Sequence, residues 1–379
     1  MTKIGDYWNF GRSKVLQDTD GVTITLNSRK INAIRNLVSL GELLAFTSSS
    51  EWKISAGDGG VITPTSFNIS EHSFRGSDIN QIEIIGNRAI FVQASGKILR
   101  DFAFDANTAS FTGDDLTILS DHLFDGYTIK DMEYQQSPYS ILWVVRSDGM
   151  LLSLSYLKEQ GVLAWAKHDV GGDIESITSS ISNGLTTIKM VVKRGSMRYI
   201  ERFATRVETT AEDSYFLDSG VTYSGTAITT LSGLDHLEGE TVTAVCNGFV
   251  VENLLVTSGD ITLPIASTKV HAGLPFISTI ETLNVDSVST NDKQKKISQV
   301  MFYLMNTIGG YIGANSTDLI EMIQSTPAIL GTPIQPFTGK FVETLNSGYD
   351  KSTSVIVKQT KPYPMRILNI NPLITLGGN

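Results

Sequence analysis

A single cysteine, Cys246, stands in 379 residues, so no intrachain disulfide can form. Its setting is the apolar stretch 241–246, where it reads as a small buried hydrophobe rather than a reactive thiol. No apolar run approaches the roughly 20 residues that a bilayer-spanning helix needs. The opening residues, MTKIGDYWNFG, lack the apolar core of a signal peptide. The expectation is a soluble protein made inside a cell, with no export by the usual route. Positive charge is scarce as well: 30 Lys and Arg stand against 39 Asp and Glu, a net charge of −9, with no basic tail and no Arg-rich helix. A groove that grips nucleic acid needs such cations to neutralise phosphates, so none is expected. An acidic surface is still compatible with nucleic acid passing by. Runs of Ala, Glu, Lys and Leu are few, which removes the usual material of long helices.

What remains is material for strands and turns: abundant Thr, Ser, Ile and Val, with 33 glycines. The clearest stretch is 141–169, ILWVVRSDGMLLSLSYLKEQGVLAWAKHD. An apolar, β-branched run (141–145) meets the turn Arg146-Ser147-Asp148-Gly149, and a near-alternating run (150–156) follows. A second turn, Lys158-Glu159-Gln160-Gly161, leads into 162–167, which completes a three-stranded meander. Weaker relatives flank it: 43–47 with 51–55, 89–93 with 98–102, and 188–192 with 197–203. Their hairpin turns, near Ser49, Gly96, Gly149 and Gly195, lie about 50 residues apart, the period of β-propeller blades. Aromatic residues Trp52, Phe102, Trp165 and Tyr199 recur in the outer strands. Before this array, 22–26 alternates like a strand, and Ile31, Ile34, Leu37 and Val38 have helical spacing that predicts a short helix or a loop crossing. Four units are few for a closed ring, and the chain starts inside a unit. That predicts an incomplete propeller, or blades missing upstream or supplied by another chain.

The expected fold class is all-β: a β-propeller-like region, complete or incomplete, over 1–204, then small β-barrel and β-sandwich modules. Residues 205–218 read as a polar, acidic linker, and five short strands follow at 227–231, 241–245, 249–255, 261–263 and 269–273. They suggest a compact barrel or small sandwich over 205–285. The third module, 286–379, contains strands at 296–304, 309–313, 339–345, 354–359 and 365–370; 319–323 fits either a strand or one helical turn. It reads as a sandwich.

Candidate chemistry is thin. His72, His122, His168, His236 and His271 show no metal-ligand spacing, and neither GxSxG nor HExxH occurs. His168-Asp169 could form an imidazole–carboxylate couple, but a surface turn is the better reading. Asp18-Thr19-Asp20-Gly21 resembles the start of a calcium loop, yet the later Glu is missing and a strand pattern follows. Gly57-Asp58-Gly59-Gly60 lacks the Lys-Ser/Thr of a phosphate loop. Ser147-Asp148-Gly149 partly matches the Asp-box turn of sialidase propellers, with Tyr127, Tyr134, Tyr139 and Tyr156 as available hydroxyls, but no arginine cluster can be assigned. Lys293-Gln294-Lys295-Lys296 reads as a solvated loop. No catalytic, cofactor-binding or metal-ligating residue is expected.

Several segments together carry a resemblance. Gly5-Asp6-Tyr7-Trp8-Asn9-Phe10-Gly11, Asn32-Ala33-Ile34-Arg35, Glu51-Trp52-Lys53 and Thr63-Pro64-Thr65 open the series. Tyr134-Gln135-Gln136-Ser137-Pro138, Trp143-Val144-Val145-Arg146-Ser147-Asp148-Gly149, Tyr156-Leu157-Lys158-Glu159-Gln160 and Arg198-Tyr199-Ile200-Glu201-Arg202 continue it. Gly233-Leu234-Asp235-His236-Leu237-Glu238-Gly239, His271-Ala272-Gly273-Leu274-Pro275 and Lys296-Ile297-Ser298 extend it to most of the chain. The ordered set resembles the tail hub, nozzle and packaged-DNA-stabilising structural proteins of short-tailed phages (podoviruses). The resemblance implies a non-enzymatic virion protein in a homo-oligomeric ring, sixfold in that family, lining a tail channel through which DNA is retained or ejected. Implied partners are the adjacent tail adaptor or head-completion proteins, tail tip or fibre proteins, and DNA passing non-specifically through the lumen. The implied location is the virion tail, with host cytoplasm during assembly. Members usually extend further at the N-terminus. A reading of another class is a glycan-binding or glycan-cleaving tail protein whose Trp8, Trp52, Trp143 and Trp165 stack on sugars. A third is a cellular propeller scaffold unrelated to phage.

Overall fold

A computed structural model describes residues 1–26, 32–57, 60–284, 293–324 and 331–377. The chain is nearly all β and forms two compact units, 1–203 and 204–379. Helical structure among the described residues amounts to three short 3-10 turns, and no helix is long and apolar enough to cross a membrane.

Unit 1 is a succession of four antiparallel meanders, each with its strands in chain order. Sheet 1 holds β1 (Ile34–Ser39), β2 (Leu43–Thr47), β3 (Glu51–Ala56) and β4 (Phe67–Ser73). Sheet 2 holds β5 (Glu83–Ile85), β6 (Arg88–Val92), β7 (Leu99–Asp105) and β8 (Ser110–Thr112). Sheet 3 holds β9 (Ile129–Gln135), β10 (Ile141–Arg146), β11 (Leu151–Leu157) and β12 (Val162–His168). Sheet 4 holds β13 (Asp173–Ser182), β14 (Leu185–Arg194) and β15 (Met197–Arg202). The four turns seen in the sequence all join the second strand of a sheet to its third.

The sheets pack face to face in chain order. Phe46 meets Phe91 and Phe102 between sheets 1 and 2. Ile90, Val92 and Leu99 meet Leu142, Val144 and Leu152 between sheets 2 and 3. Trp143, Val145 and Leu151 meet Ile174, Ile188 and Val192 between sheets 3 and 4. Because sheet 3 is covered on both faces, β10 is buried at every position, which explains its unbroken apolar run. No apolar cluster among the described residues joins sheet 4 back to sheet 1.

The packing carries a repeated backbone latch. The Ile129 N–H donates to the Gly96 carbonyl at 2.8 Å, and the Ile174 N–H donates to the Gly149 carbonyl at 2.9 Å. Each time, the hairpin turn of one sheet receives the first strand of the next. Gly149 has φ +84°, and a Cβ there would lie 2.7 Å from Asp173 Cβ. Glycine is needed at Gly149 for both conformation and contact.

Two expectations for this unit need correction. Residues 34–39 form a strand instead of a helix or loop crossing; Ile34 and Leu37 stay exposed and only Val38 is buried, so their spacing marks no helical face. Ile31 lies outside the described residues. Residues 22–26 join no ladder; Ile24 and Leu26 instead pack over Ala45, Trp52 and Ile54 on the outer face of sheet 1. The strands β5, β8, β9 and β13 complete the meanders and were not anticipated.

In unit 2, β16 (Asp218–Leu231), β17 (Thr241–Cys246), β18 (Phe249–Leu255) and β19 (Ile261–Leu274) form an open sheet of order β16-β19-β17-β18. Among the described residues no closed barrel forms, which corrects the barrel expectation for 205–285. The predicted strands 261–263 and 269–273 are one strand, β19. Its core holds Leu234, Val242, Ala244, Val270 and Ala272. The 205–218 stretch, expected to be a linker, is partly folded in: Ala211, Ser214 and Leu217 are buried. The remaining strands form two sheets. One contains β20 (Ser278–Glu281), β25 (Ile356–Gln359), β22 (Tyr311–Gly313) and β23 (Leu319–Glu321). The other contains β24 (Phe337–Thr344), β21 (Lys295–Thr307) and β26 (Arg366–Leu376). Ile297, Val300 and Phe302 of β21 share a core with Ile312 and Val357 of the first. The expected division at 285/286 falls at residues outside the described set.

Candidate functional site

The densest polar cluster sits where sheet 2 meets sheet 3. Asp101 of β7 is fully buried. Its Oδ2 accepts Arg88 Nη1 at 2.9 Å and the Tyr156 hydroxyl at 2.7 Å; its Oδ1 accepts the Asp114 N–H at 2.6 Å. Lys158 Nζ lies 3.4 Å from Oδ2 and also pairs with Asp114. Burial, then the hydrogen bond to Asp101, pushes the Tyr156 hydroxyl above its usual range. The Lys158 hydrogen bond holds the Asp114 carboxyl low. Gly113 lets the 113–114 backbone approach, since a Cβ there would overlap the Asp101 carbonyl oxygen. Both Asp101 oxygens accept from groups of this cluster, and the Tyr156 hydroxyl bond to Asp101 ties sheet 3 to sheet 2.

A second cluster is acidic. Glu83 of β5 is half-buried, and burial pushes its carboxyl up to about 7, aided by Glu133 and Asp131 on β9. The Asp131 carboxylate is held by backbone N–H groups, Met132 at 3.0 Å and Ile177 at 3.0 Å. Glu51 of β3 is buried and its carboxyl is raised by burial; one oxygen accepts from Ser73, while Oε1 has no partner.

The residues singled out from sequence are scattered, and most carry structure. Arg146 holds Asp148 through two hydrogen bonds, at 3.0 and 2.5 Å, and stacks 3.9 Å over the Tyr127 ring. The Ser147-Asp148-Gly149 turn is thus a clamp. His168 Nε2 lies 2.7 Å from Ser153 Oγ, and its ring packs on Trp143 at 5.1 Å. Asp169 accepts the Gly171 N–H in the following turn. His72 bridges Ser70 and Ser110 at 2.9 Å each, tying sheet 1 to sheet 2. His236 lies 2.7 Å from the Ser219 carbonyl, and His271 bonds Thr222 and the Glu212 carbonyl. His122 is exposed on the 3-10 turn Ile118–Leu123.

Asp20 is buried and accepts N–H groups from Ser13 at 2.9 Å and Gln17 at 3.0 Å, which hold its carboxyl far below the usual range; Lys3 adds an ion pair at 3.0 Å. It knots the N-terminal loop and presents no cation-facing oxygens. Asp58 and Gly59 lie outside the described residues. Cys246 is buried, and burial raises its thiol. The solvated-loop reading of 293–296 is corrected: Lys295 and Lys296 begin β21, and Lys295 is fully buried. Among the described residues no group of three His, Cys, Asp or Glu could hold a metal.

Of the tryptophans, Trp52 and Trp143 are buried, with indole N–H groups donating to Ser50 and Gln135. Trp165 donates to the Leu116 carbonyl and packs on Phe124. Trp8 is 91% exposed, beside Tyr7 at 83% and Phe10 at 70%. Of the four tryptophans, Trp8 alone is largely exposed, and its loop groups three exposed aromatic rings within four residues.

Sequence reasoning missed the outer face of sheet 4. In β14 and β15 the cross-strand partners are Lys189 with Arg202, Val191 with Ile200, and Lys193 with Arg198. Directly paired residues share a face, so two cationic pairs flank an aliphatic pair. Ile200 is 83% exposed. The signal was present in LTTIKMVVKR, whose alternation marks a strand with one wet face. No protein-family model matches this chain, and no curated protein matches it.

Proposed function

We propose that the protein is a structural component of a short-tailed phage tail channel, a hub or nozzle subunit that assembles into a homo-oligomeric ring. The observation that carries this reading is the in-phase array of four local meanders, which agrees with the blade-like region that the resemblance implies. The use of polar and charged side chains agrees with it too. Asp101, Asp148, Asp20 and His271 are engaged in holding strands and loops together, as in a part built for rigidity. The function would be mechanical. Subunits joined head to tail close a channel, and an acidic chain leaves DNA few cations on which to stick. A propeller-like closure, the sixfold count, the neighbouring tail proteins and a virion location belong to the same proposal. Negative-stain imaging of the purified chain and of particles that contain it tests the reading. Rings or tail density are expected; a stable monomer that is absent from particles would overturn it.

A further inference from the structure

We propose that the outer face of sheet 4 docks onto the 113–125 segment of a second copy of this chain. The inference rests on the ring reading above and names its contact.

The face is unusual within its unit. Sheets 2 and 3 are covered on both sides, and the outer face of sheet 1 is covered by Ile24, Leu26 and Ile62. Sheet 4 buries Ile174, Ile177, Ile188, Met190 and Val192 inward and leaves its other face open. The turn glycine repeats this difference. Gly96 and Gly149 each lie against the sheet that follows, whereas a Cβ at Gly195 would meet open space. Like charges placed directly opposite each other on a sheet oppose its folding, yet this face has two such pairs. Glu175 neutralises Arg198 through bonds of 2.6 and 2.9 Å, and Asp173 lies opposite Lys193. Lys189 and Arg202 are joined to no carboxylate among the described residues.

The same chain offers a complement. Residues 113–125, GDDLTILSDHLFD, carry four Asp and no Lys or Arg. Leu116, Thr117 and Phe124 are buried beneath and fix the segment, while Ile118 is 68% and Leu119 84% exposed. Asp114 and Asp115 are paired with Lys158 and Arg100, which leaves the exposed Asp121 and Asp125 beside the aliphatic tip. An aliphatic pair ringed by cations thus has a counterpart in an aliphatic pair ringed by carboxylates. A polyanion would use the cations but gain nothing from Ile200, and it would meet a chain of net charge −9. The exposed aliphatic centre favours a protein partner, and two different surfaces of one chain make a head-to-tail contact of the kind that closes rings.

The test is sedimentation of the full chain at about 50 mM and about 500 mM salt, where screening separates charge-driven contacts. The K189E/R202E variant reverses the charge but keeps a like-charged pair across the strands, so the folded sheet carries the same kind of repulsion. Wild type should associate more weakly at high salt. K189E/R202E should weaken association by about tenfold or more, and adding D121K/D125K to the same chain should restore it. Ile200→Ser should also weaken association, with thermal unfolding unchanged at about 500 mM salt and at dilutions where wild type is monomeric. A wild-type oligomer that K189E/R202E leaves intact overturns this contact and spares the ring reading. A wild type that stays monomeric and is absent from particles overturns both. Loss of co-purifying nucleic acid in K189E/R202E, without rescue by D121K/D125K, overturns the contact in favour of a polyanion.

Discussion

Glu83→Gln should stabilise unit 1 above neutral pH and do little in mild acid. Burial, with Glu133 and Asp131 nearby, lifts the Glu83 carboxyl from 4.5 to about 7. The folded chain therefore keeps this proton through a range in which the unfolded chain releases it. Stability falls as pH rises from about 4.5 to about 7 and is level beyond. About 1.4 kcal/mol per pH unit sets the upper bound, and because the half-buried carboxyl keeps part of its solvent screening, the cost to the folded state is about 1–2 kcal/mol. Glutamine keeps an oxygen to accept the Tyr134 N–H and removes the charge that Glu133 and Asp131 oppose. The assay is urea unfolding of wild type and variant at several pH values between 4 and 8, followed by tryptophan fluorescence. All four tryptophans lie in unit 1, so the signal reports that unit. Other titrating groups contribute to both proteins and cancel in the difference. That difference should grow from near zero at pH 4 to about 1–2 kcal/mol at pH 8, and the variant should melt higher by about 2–4 °C per kcal/mol. A difference that does not change with pH would refute the assignment of the raised proton affinity to Glu83.

Two other substitutions probe the sheet contacts. Asp101→Ala leaves Arg88, the Tyr156 hydroxyl and the Asp114 N–H without their acceptor, and should cost about 3–5 kcal/mol in chemical unfolding. Gly149→Ala forces a Cβ against Asp173 in a left-handed backbone, whereas Gly195→Ala (φ +59°) meets only the backbone strain. The first should destabilise by about 2–4 kcal/mol and the second by about 1 kcal/mol in parallel thermal melts.

The order of sheets was legible because the second strands are apolar runs bounded by turn residues. LLAFT, RAIFV and ILWVVR belong to sheets buried on both faces, and LTTIKMVVKR to one buried on a single face. What the sequence hid was weak by nature. β5 and β8 are three residues each, too short for a period to show. β13, DIESITSSIS, holds serines where a strand signal needs β-branched residues, and its bulge between Ile174 and Ser176 breaks the alternation. β19 runs through Pro264, which lies in the gap between the expected strands 261–263 and 269–273. In the fold, its pairing to β17 is confined to Lys269's C-terminal neighbours 270–273, so Pro264 sits where the strand has a neighbour on one side only. The polar clusters were illegible for another reason. Arg88, Asp101 and Tyr156 come from three strands in two sheets, and only the lone carboxylate within the apolar run ILRDFAF hinted at a buried partner.

The two kinds of charge in unit 1 differ in what a partner could do with them. At Asp101 a buried carboxylate is paired with cations of opposite sign, so a ligand that reached it would have to break bonds the fold already makes. On the outer face of sheet 4 the paired β14 and β15 charges are alike, and Lys189 and Arg202 find no carboxylate among the described residues. A face of that kind raises the free energy of the unbound sheet, and an acidic partner lowers it again. Binding there should therefore stabilise the sheet that binds, and the stability of unit 1 should rise with protein concentration at low salt. The rise should vanish in K189E/R202E, whose face carries the sign of the 113–125 segment.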